Sequence, residues 1–210
     1  KDYDFVKQLV ELNVKTFVTS FHTTDAKEMA WLADVDENWL GEIIQGIKNA
    51  KFLGAKVRTN TVVYNNNKDN LLDVFKFIVE ELKVDHINIS NMHPAGRAYK
   101  NFEIVCPKVT SIISTVKAGV DYIESQGIKV TVEGFPPCLL GEYTKYIVDW
   151  EGSNFKMLFH NFILPNYANF MSANTRVLGE NCKKCVYKRD KLCGGIYKEY
   201  IENNGWDELV

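Results

Sequence analysis

The sequence predicts an α/β fold built on a parallel sheet. Short segments rich in β-branched residues alternate with longer segments in which apolar residues recur every three or four positions. Right-handed crossovers between successive strands make such a sheet parallel. With 210 residues, 46% of them hydrophobic, the chain can bury a full core. The alternation fits an open sheet or one curved into part of a barrel.

The predicted elements follow one another from the first residues. The chain opens on a helix in which Phe5, Leu9 and Leu12 recur at helical spacing. Strands are predicted at 14–20, 56–63, 85–91 and 128–133, and amphipathic helices at 36–53, 69–82 and 107–127. The chain has no Met at its start, and a predicted helix begins within its first residues. A processed terminus and a missing upstream segment would both explain this.

From Pro136 onward the alternation stops. Residues 146–180 are rich in aromatic side chains and indicate an irregular connection. We therefore expect a barrel-like domain over 1–135 and a C-terminal extension over 136–210 that contains clustered cysteines.

Composition and charge exclude several classes of function. Twenty-five basic against 27 acidic residues give a formal net charge of -2, which argues against a nucleic-acid partner and against anionic lipid. Neither a run of about 18 apolar residues nor a signal peptide is present, so we expect a cytoplasmic protein with no membrane partner. Five cysteines are too few for a disulfide scaffold, and clustered thiols in a reducing compartment favour metal binding or catalysis.

One face of the predicted sheet is polar. If Ile87 and Ile89 pack on the helices, then His86, Asn88 and Ser90 share the opposite face, because successive strand side chains alternate. The same alternation assigns Arg58, Asn60, Thr131 and Glu133 to that face, with Thr16, Ser20 and His22 as the polar choice in the first strand, where Val18 fits either side. Unpaired buried polar groups cost about 1–3 kcal/mol each. This pattern predicts a solvated or ligand-filled concavity at the carboxyl ends of the strands, or else side chains that are satisfied locally or lie at an exposed edge.

Three cysteines are concentrated in "NCKKCVYKRDKLCGG". Cys182 and Cys185 have the C-x2-C spacing that brings two sulfurs to one metal centre, and Cys193 follows beside two glycines that allow close backbone approach. We predict Cys138, in "GFPPCLLGE" just after the fourth strand, as the fourth ligand, and Cys106 as a free or buried thiol. Four cysteines suit either tetrahedral zinc or an iron-sulfur cluster, and their spacing does not separate the two.

Two segments resemble the radical S-adenosylmethionine (SAM) enzymes. "VRTNTVVYNNNKDNLLDVFKFIVEELKVDHINISNMHPAGRA" is similar to their later strands, and "CKKCVYKRDKLCGGIYKEYIENNGWDEL" resembles the C-terminal cluster segment common in that superfamily. The C-x3-C-x2-C triplet that defines the family, and binds the 4Fe-4S cluster that cleaves SAM, is not in this sequence. The resemblance implies a partial (β/α)6 barrel with about four of its six strands present, Val14 to Ser20 matching the third strand of the family.

The resemblance also implies an activity, cofactors and site residues. The intact protein would cleave SAM to a 5′-deoxyadenosyl radical and modify a peptide or small-molecule substrate, whereas this chain alone would be inactive. SAM-facing residues, listed by position, would be Ser20, His22, Arg58, Asn60, Asn88 and Asn91. Arg58 would pair with a carboxylate through its planar fork, and Asn60 would bond a ribose hydroxyl.

The implied role of the tail is an auxiliary 4Fe-4S cluster, held by Cys138, Cys182, Cys185 and Cys193, that conducts electrons or braces the tail. A reductant such as a ferredoxin or flavodoxin would be a partner. The alternative is a non-catalytic iron-sulfur or zinc-binding α/β module that binds a ligand or a protein partner.

Overall fold

Four parallel strands form the central sheet. The computed structural model describes residues 1–148, 156–190 and 192–209. The strands are β1 (Thr16–Ser20), β2 (Lys56–Val63), β3 (His86–Asn91) and β4 (Lys129–Glu133), and they lie side by side in that order. Each begins within two residues of its predicted start. The predicted α/β class with a parallel sheet is confirmed.

Helices connect and cover these strands. The helices before the end of β4 are α1 (Tyr3–Glu11), α2 (Ala26–Ala33), α3 (Asn38–Phe52), α4 (Leu71–Glu80), α5 (Arg97–Lys100), α6 (Phe102–Val105) and α7 (Val109–Ser125). Side chains start two of them, because Asp2 accepts a hydrogen bond from Phe5 N at α1 and Asp25 accepts from Lys27 N and Glu28 N at α2. Within the described residues, no helix is long and apolar enough to cross a membrane.

Apolar stripes on the helices form the core. The predicted stripe of α4 is buried throughout, with Leu71, Phe75 and Ile78 fully inaccessible to solvent. Val116, Val120 and other apolar residues of α7 are buried in the same way. In α3, Leu40 and Ile47 are buried, but Trp39, which the helical period places on the same face, is 45% exposed. The 3.6-residue period therefore located the core face, although the residue at its margin remains in solvent.

Several helices of the described residues were not predicted. Helices α2, α5 and α6 lie between predicted elements, and four more lie after β4, one of them, Tyr167–Thr175, inside the aromatic stretch that indicated an irregular connection. The elements after β4 are α8 (Pro137–Leu140), β5 (Met157–Leu158), β6 (Ile163–Leu164), α9 (Tyr167–Thr175), β7 (Arg176–Val177), α10 (Val186–Arg189), β8 (Ile196–Tyr197) and α11 (Lys198–Asn204), with 3₁₀ turns at Gly141–Tyr146, Glu180–Lys184 and Asp207–Leu209. Asn166 starts α9 by accepting a hydrogen bond from Asn169 N. The extension thus consists of short elements joined by turns.

The chain forms two compact units. The first contains Lys1–Ser90 and Ser114–Thr131, and the second contains Asn91–Ile113 and the described residues from Val132 onward. The first unit holds β1, β2 and nearly all of β3, and the second holds all four cysteines predicted as ligands. The predicted boundary at 135 remains a prediction, since residues 91–113 are grouped with the second unit.

A buried asparagine fixes the loop after β2. The Asn67 side chain accepts a hydrogen bond from Tyr64 N at 2.9 Å and donates to His22 O at 3.0 Å and Val62 O at 2.9 Å. Asn67 is inaccessible to solvent, so these bonds satisfy polar groups that would otherwise cost about 1–3 kcal/mol each. The carboxyl ends of β1 and β2 are held at a fixed position by this one side chain.

Candidate functional site: a polar sheet face and a cysteine-lined cavity

One face of the sheet in the first unit carries a connected polar network. Asn60 Oδ1 accepts hydrogen bonds from Asn88 Nδ2 at 2.8 Å and from Ser90 Oγ at 2.7 Å. Thr131 Oγ1 donates to Asn88 Oδ1 at 2.6 Å and lies 2.8 Å from His86 Nε2. These five side chains come from β2, β3 and β4. The strand alternation that predicted a polar face therefore grouped residues that contact one another.

Buried and half-buried side chains lie on opposite faces of β2. Val57, Thr59, Thr61 and Val63 are buried in strict alternation with half-buried residues, among them Arg58 and Asn60. On the buried side Thr61 Oγ1 donates to Phe21 O at 2.7 Å, whereas Thr59 Oγ1 has no hydrogen-bond partner among the described residues. The half-buried residues, Arg58 and Asn60 among them, therefore lie on the face that carries the polar network.

Arg58 is the charged member of this face. Its Nε is buried and, within the described part of the chain, has no hydrogen-bond partner. Burial, followed by the charges of Arg58 and Lys129, lowers the pKa of His86 to about 4, so the imidazole is neutral at pH 7. The guanidinium of Arg58 on this face suits a ligand that carries a carboxylate.

The first strand contributes less than predicted to this face. In the parallel register Val18 lies opposite Arg58 and Ser20 opposite Asn60, so both occupy the polar side. Ser20 is exposed, and Val18 is 65% exposed. The choice left open for Val18 is thus resolved toward the polar face.

His22 and Asn91 lie outside the network. His22 Nδ1 accepts a hydrogen bond from Val62 N at 3.2 Å, and Asn91 Nδ2 donates to Gly134 O at 3.2 Å. Both side chains are occupied by backbone at the ends of strands. Of the two asparagines predicted on β3, Asn88 is the one in the network.

Four cysteines line one cavity in the second unit. Cys138, Cys182, Cys185 and Cys193 border a cavity of about 40 Å³, together with Tyr187 and Trp206. Partial burial, followed by the neighbouring thiols of Cys185 and Cys182, raises the pKa of the Cys138 thiol. Cys106 is buried elsewhere and does not line this cavity. The four cysteines predicted as ligands thus line one cavity, and their role as metal ligands stays a prediction.

The glycines beside Cys193 permit this grouping. Gly195 has φ +101°, and a Cβ at that position would lie 2.3 Å from Val177 O. Gly195 N donates a hydrogen bond to Cys193 Sγ at 3.4 Å. Within residues 1–148, 156–190 and 192–209, no three His, Cys, Asp or Glu side chains are grouped so as to hold a metal ion.

The C-terminal segment forms part of the cavity wall and also caps α7. Trp206 and Leu209 line the cavity, and the Trp206 ring packs so closely on Gly179 that a Cβ there would meet it at 2.9 Å. Glu208, between them, accepts hydrogen bonds from Thr110 N at 3.2 Å and Thr110 Oγ1 at 2.6 Å. The Tyr200 hydroxyl accepts from Val109 N at 2.9 Å. Sequence reasoning missed these caps, because their partners lie about 90 residues apart and no local pattern marks them.

A second cluster that was missed surrounds His93. Its ring stacks on Tyr197 with centroids 4.2 Å apart, and its Nε2 lies 3.8 Å from Glu199 Oε2. The Arg176 guanidinium lies 5.2 Å from the Tyr197 ring centre. The only sequence signal was the "HPAGRA" turn, which marks a loop but not its contacts.

Comparison with known proteins found no matching family model, no matching curated protein and no matching solved structure.

The pH dependence of stability tests the placement of His22. Burial lowers its pKa to about 4, against about 6.5 in the unfolded chain. Above pH 6.5 the imidazole is neutral in both states. As pH falls from 6.5 to 4 the unfolded chain binds the proton first, so we expect the free energy of unfolding to drop by about 2–3 kcal/mol from this group.

The variant His22→Asn keeps a hydrogen-bond acceptor near Val62 N but cannot titrate. It should therefore remove the contribution of His22 to the pH dependence of the free energy of unfolding, measured by urea unfolding between pH 7 and pH 4. The control is His160→Asn, at an exposed histidine. Equal slopes for His22→Asn and the unmodified protein would contradict the burial of His22.

Proposed function

We propose that this chain is the later part of a radical SAM iron-sulfur enzyme and that its tail holds an auxiliary 4Fe-4S cluster. The observation that carries the proposal is the shared cavity of Cys138, Cys182, Cys185 and Cys193. Cys138 follows β4, and the other three lie at least 44 residues further along the chain. Convergence of distant thiols on one cavity is what a cluster ligated by four cysteines requires.

The form of the site favours a cluster over a single zinc ion. Zinc needs four sulfurs at about 2.3 Å from one point. A 4Fe-4S cluster binds each sulfur through a different iron, so its ligands surround a small volume. Among the described residues no three His, Cys, Asp or Glu side chains converge on one ion, and the four cysteines instead line a cavity of about 40 Å³, so we propose the second arrangement.

The polar face supports a SAM site. In the proposed enzyme Arg58 binds the ligand carboxylate and Asn60 bonds a ribose hydroxyl. Asn88 and Ser90 hold Asn60 in place, and Thr131 in turn holds Asn88. When bound, SAM would accept one electron from the cluster of the C-x3-C-x2-C triplet, release methionine, and so supply a 5′-deoxyadenosyl radical for hydrogen abstraction from a peptide or small-molecule substrate. The contribution of this chain is to bind and orient, because its network is already formed between strands.

The free edge of β1 supports the barrel assignment. β1 lies at the edge of the four-stranded sheet, and Val18 is largely exposed there. An apolar groove of about 330 Å³ beside it is lined by side chains of α1, β1 and α3, among them Phe5, Phe17 and Ile43. Proteins normally cover or blunt such edges. We propose that this edge pairs with the second of two preceding strands of a (β/α)6 barrel. The segment that holds those two strands would also contain the C-x3-C-x2-C triplet.

Substitution of Cys138 tests the cluster. After anaerobic reconstitution with iron and sulfide, the chain should show sulfide-to-iron charge-transfer absorbance, and Cys138→Ala should change the spectrum and lower this absorbance because one iron loses its protein ligand. The matched control is Cys106→Ala, at a buried cysteine away from the cavity, which should keep the full spectrum. An unchanged spectrum in Cys138→Ala would reject this ligand.

Release of 5′-deoxyadenosine tests the enzyme assignment. A protein that contains this chain behind the preceding strands should release 5′-deoxyadenosine from SAM under a strong reductant. Arg58→Ala should lower the affinity for SAM about tenfold to a hundredfold, since a hydrogen bond to a charged group contributes about 1.5–3 kcal/mol. Lys76→Ala, on the exposed side of α4, is the control. Normal SAM affinity in Arg58→Ala, or no release by the parent protein, would contradict the assignment.

A further inference from the structure

The hydrogen bonds of the polar network on the sheet run in one direction. Thr131 Oγ1 donates its proton to Asn88 Oδ1 at 2.6 Å, and Asn88 Nδ2 donates in turn to Asn60 Oδ1 at 2.8 Å. Ser90 Oγ accepts a second bond from Asn88 Nδ2 at 2.9 Å and donates to Asn60 Oδ1 at 2.7 Å. The carbonyl oxygen of the Asn60 side chain is therefore used twice inside the network.

This direction decides which ring nitrogen of His86 carries the proton. A hydroxyl group has one proton to donate, and Thr131 donates it to Asn88. At its 2.8 Å contact with His86 Nε2 the Thr131 oxygen therefore accepts, so Nε2 is the protonated nitrogen. Because burial lowers the pKa of His86 to about 4, the ring holds one proton at pH 7 and Nδ1 carries a lone pair.

The opposite direction of the network would need the opposite tautomer of His86. With the proton on Nδ1, His86 Nε2 would accept from the Thr131 hydroxyl, and the Asn88 amide nitrogen would have to donate to Thr131. The Asn60 side chain would then donate to Asn88 and turn its carbonyl oxygen outward. The tautomer of His86 and the outward group of Asn60 are thus coupled through the two side chains between them.

The open end of the network lies on β2. Since Asn60 Oδ1 already accepts two hydrogen bonds, the group that Asn60 offers to a ligand is its amide nitrogen, which is a donor. Arg58, on the same face of the strand, has a buried Nε without a hydrogen-bond partner among the described residues. Residues two apart on a strand are about 6–7 Å from each other. Both groups are donors, so they suit two oxygen acceptors of one ligand.

We propose that His86 is a positioning residue that, through Thr131 and Asn88, holds the Asn60 amide with its N–H groups outward and so selects a ligand with an oxygen acceptor at that point. This ligand choice rests on the proposed SAM site, in which the ribose hydroxyl accepts a hydrogen bond from Asn60 and does not donate one to it. A ligand with an N–H donor at that point is rejected, because two donors would face each other.

Nitrogen NMR measures the tautomer of His86 directly. Long-range proton–nitrogen correlation spectra of the isotope-labelled full chain at pH 7 distinguish the protonated ring nitrogen from the unprotonated one. The variant His86→Gln identifies the signals of His86 among the four histidines. We expect the proton on Nε2, and a proton on Nδ1 would overturn the proposal.

Variants of Thr131 test whether the network sets this tautomer. Thr131→Ser keeps the hydroxyl and should keep the proton on Nε2, whereas Thr131→Val removes the hydroxyl and should let the form with the proton on Nδ1 appear. The matched control is Thr16→Val, at an exposed threonine of β1, which should leave the tautomer unchanged. An unchanged tautomer in Thr131→Val would contradict the coupling.

The affinity for SAM tests the ligand choice separately. In a protein that contains this chain behind the preceding strands, Thr131→Val should weaken SAM binding about twofold to tenfold, the range for one neutral hydrogen bond, and Thr131→Ser should keep it. Normal affinity in Thr131→Val, with its tautomer altered, would overturn the ligand choice. Failure of the parent protein to bind SAM would overturn the ligand choice together with the proposed function, whereas normal SAM binding with the His86 proton on Nδ1 would contradict the role of His86 alone.

Discussion

The C-terminal segment is held by hydrogen bonds that it accepts from the first amide groups of α7. Tyr200 and Glu208 satisfy Val109 N and Thr110 N, which lack partners inside the helix. The carboxylate also lies at the positive end of the helix dipole. In the 3₁₀ turn Asp207–Leu209, residues three apart share a side, so Trp206 and Leu209 face the cysteine cavity while Glu208 faces α7. The wall of the cavity therefore depends on this cap.

The polar side chains of the sheet are also satisfied by hydrogen bonds within the protein. Asn60, Asn88, Ser90 and Thr131 would each carry a desolvation penalty if left alone on a strand face. Because they bond one another, the face stays polar without requiring water at every atom, and its geometry is fixed before any ligand arrives. Arg58 is the member whose Nε has no partner among the described residues, which makes it the natural point of contact with an anionic group.

The sequence predicted the parts of this arrangement that local periodicity controls. All four strands, and the core face of α4 and α7, follow from period-2 and period-3.6 patterns. Cys138 was grouped with the tail cysteines from its place just after a strand. It lines the same cavity as they do, and its role as a metal ligand stays a prediction. The start of α2 could have been predicted, because Asp25 followed three residues later by Glu28 is a helix-start pattern. The caps by Tyr200 and Glu208 and the three bonds of Asn67 depend on tertiary contacts that no window of sequence contains.

Quantification of iron and acid-labile sulfide in the anaerobically purified chain tests the central claim most directly. The account predicts about four irons and about four sulfides per chain, because four cysteines around one cavity ligate one cubic cluster. One zinc ion per chain with no sulfide would contradict it, and so would a chain that binds neither metal.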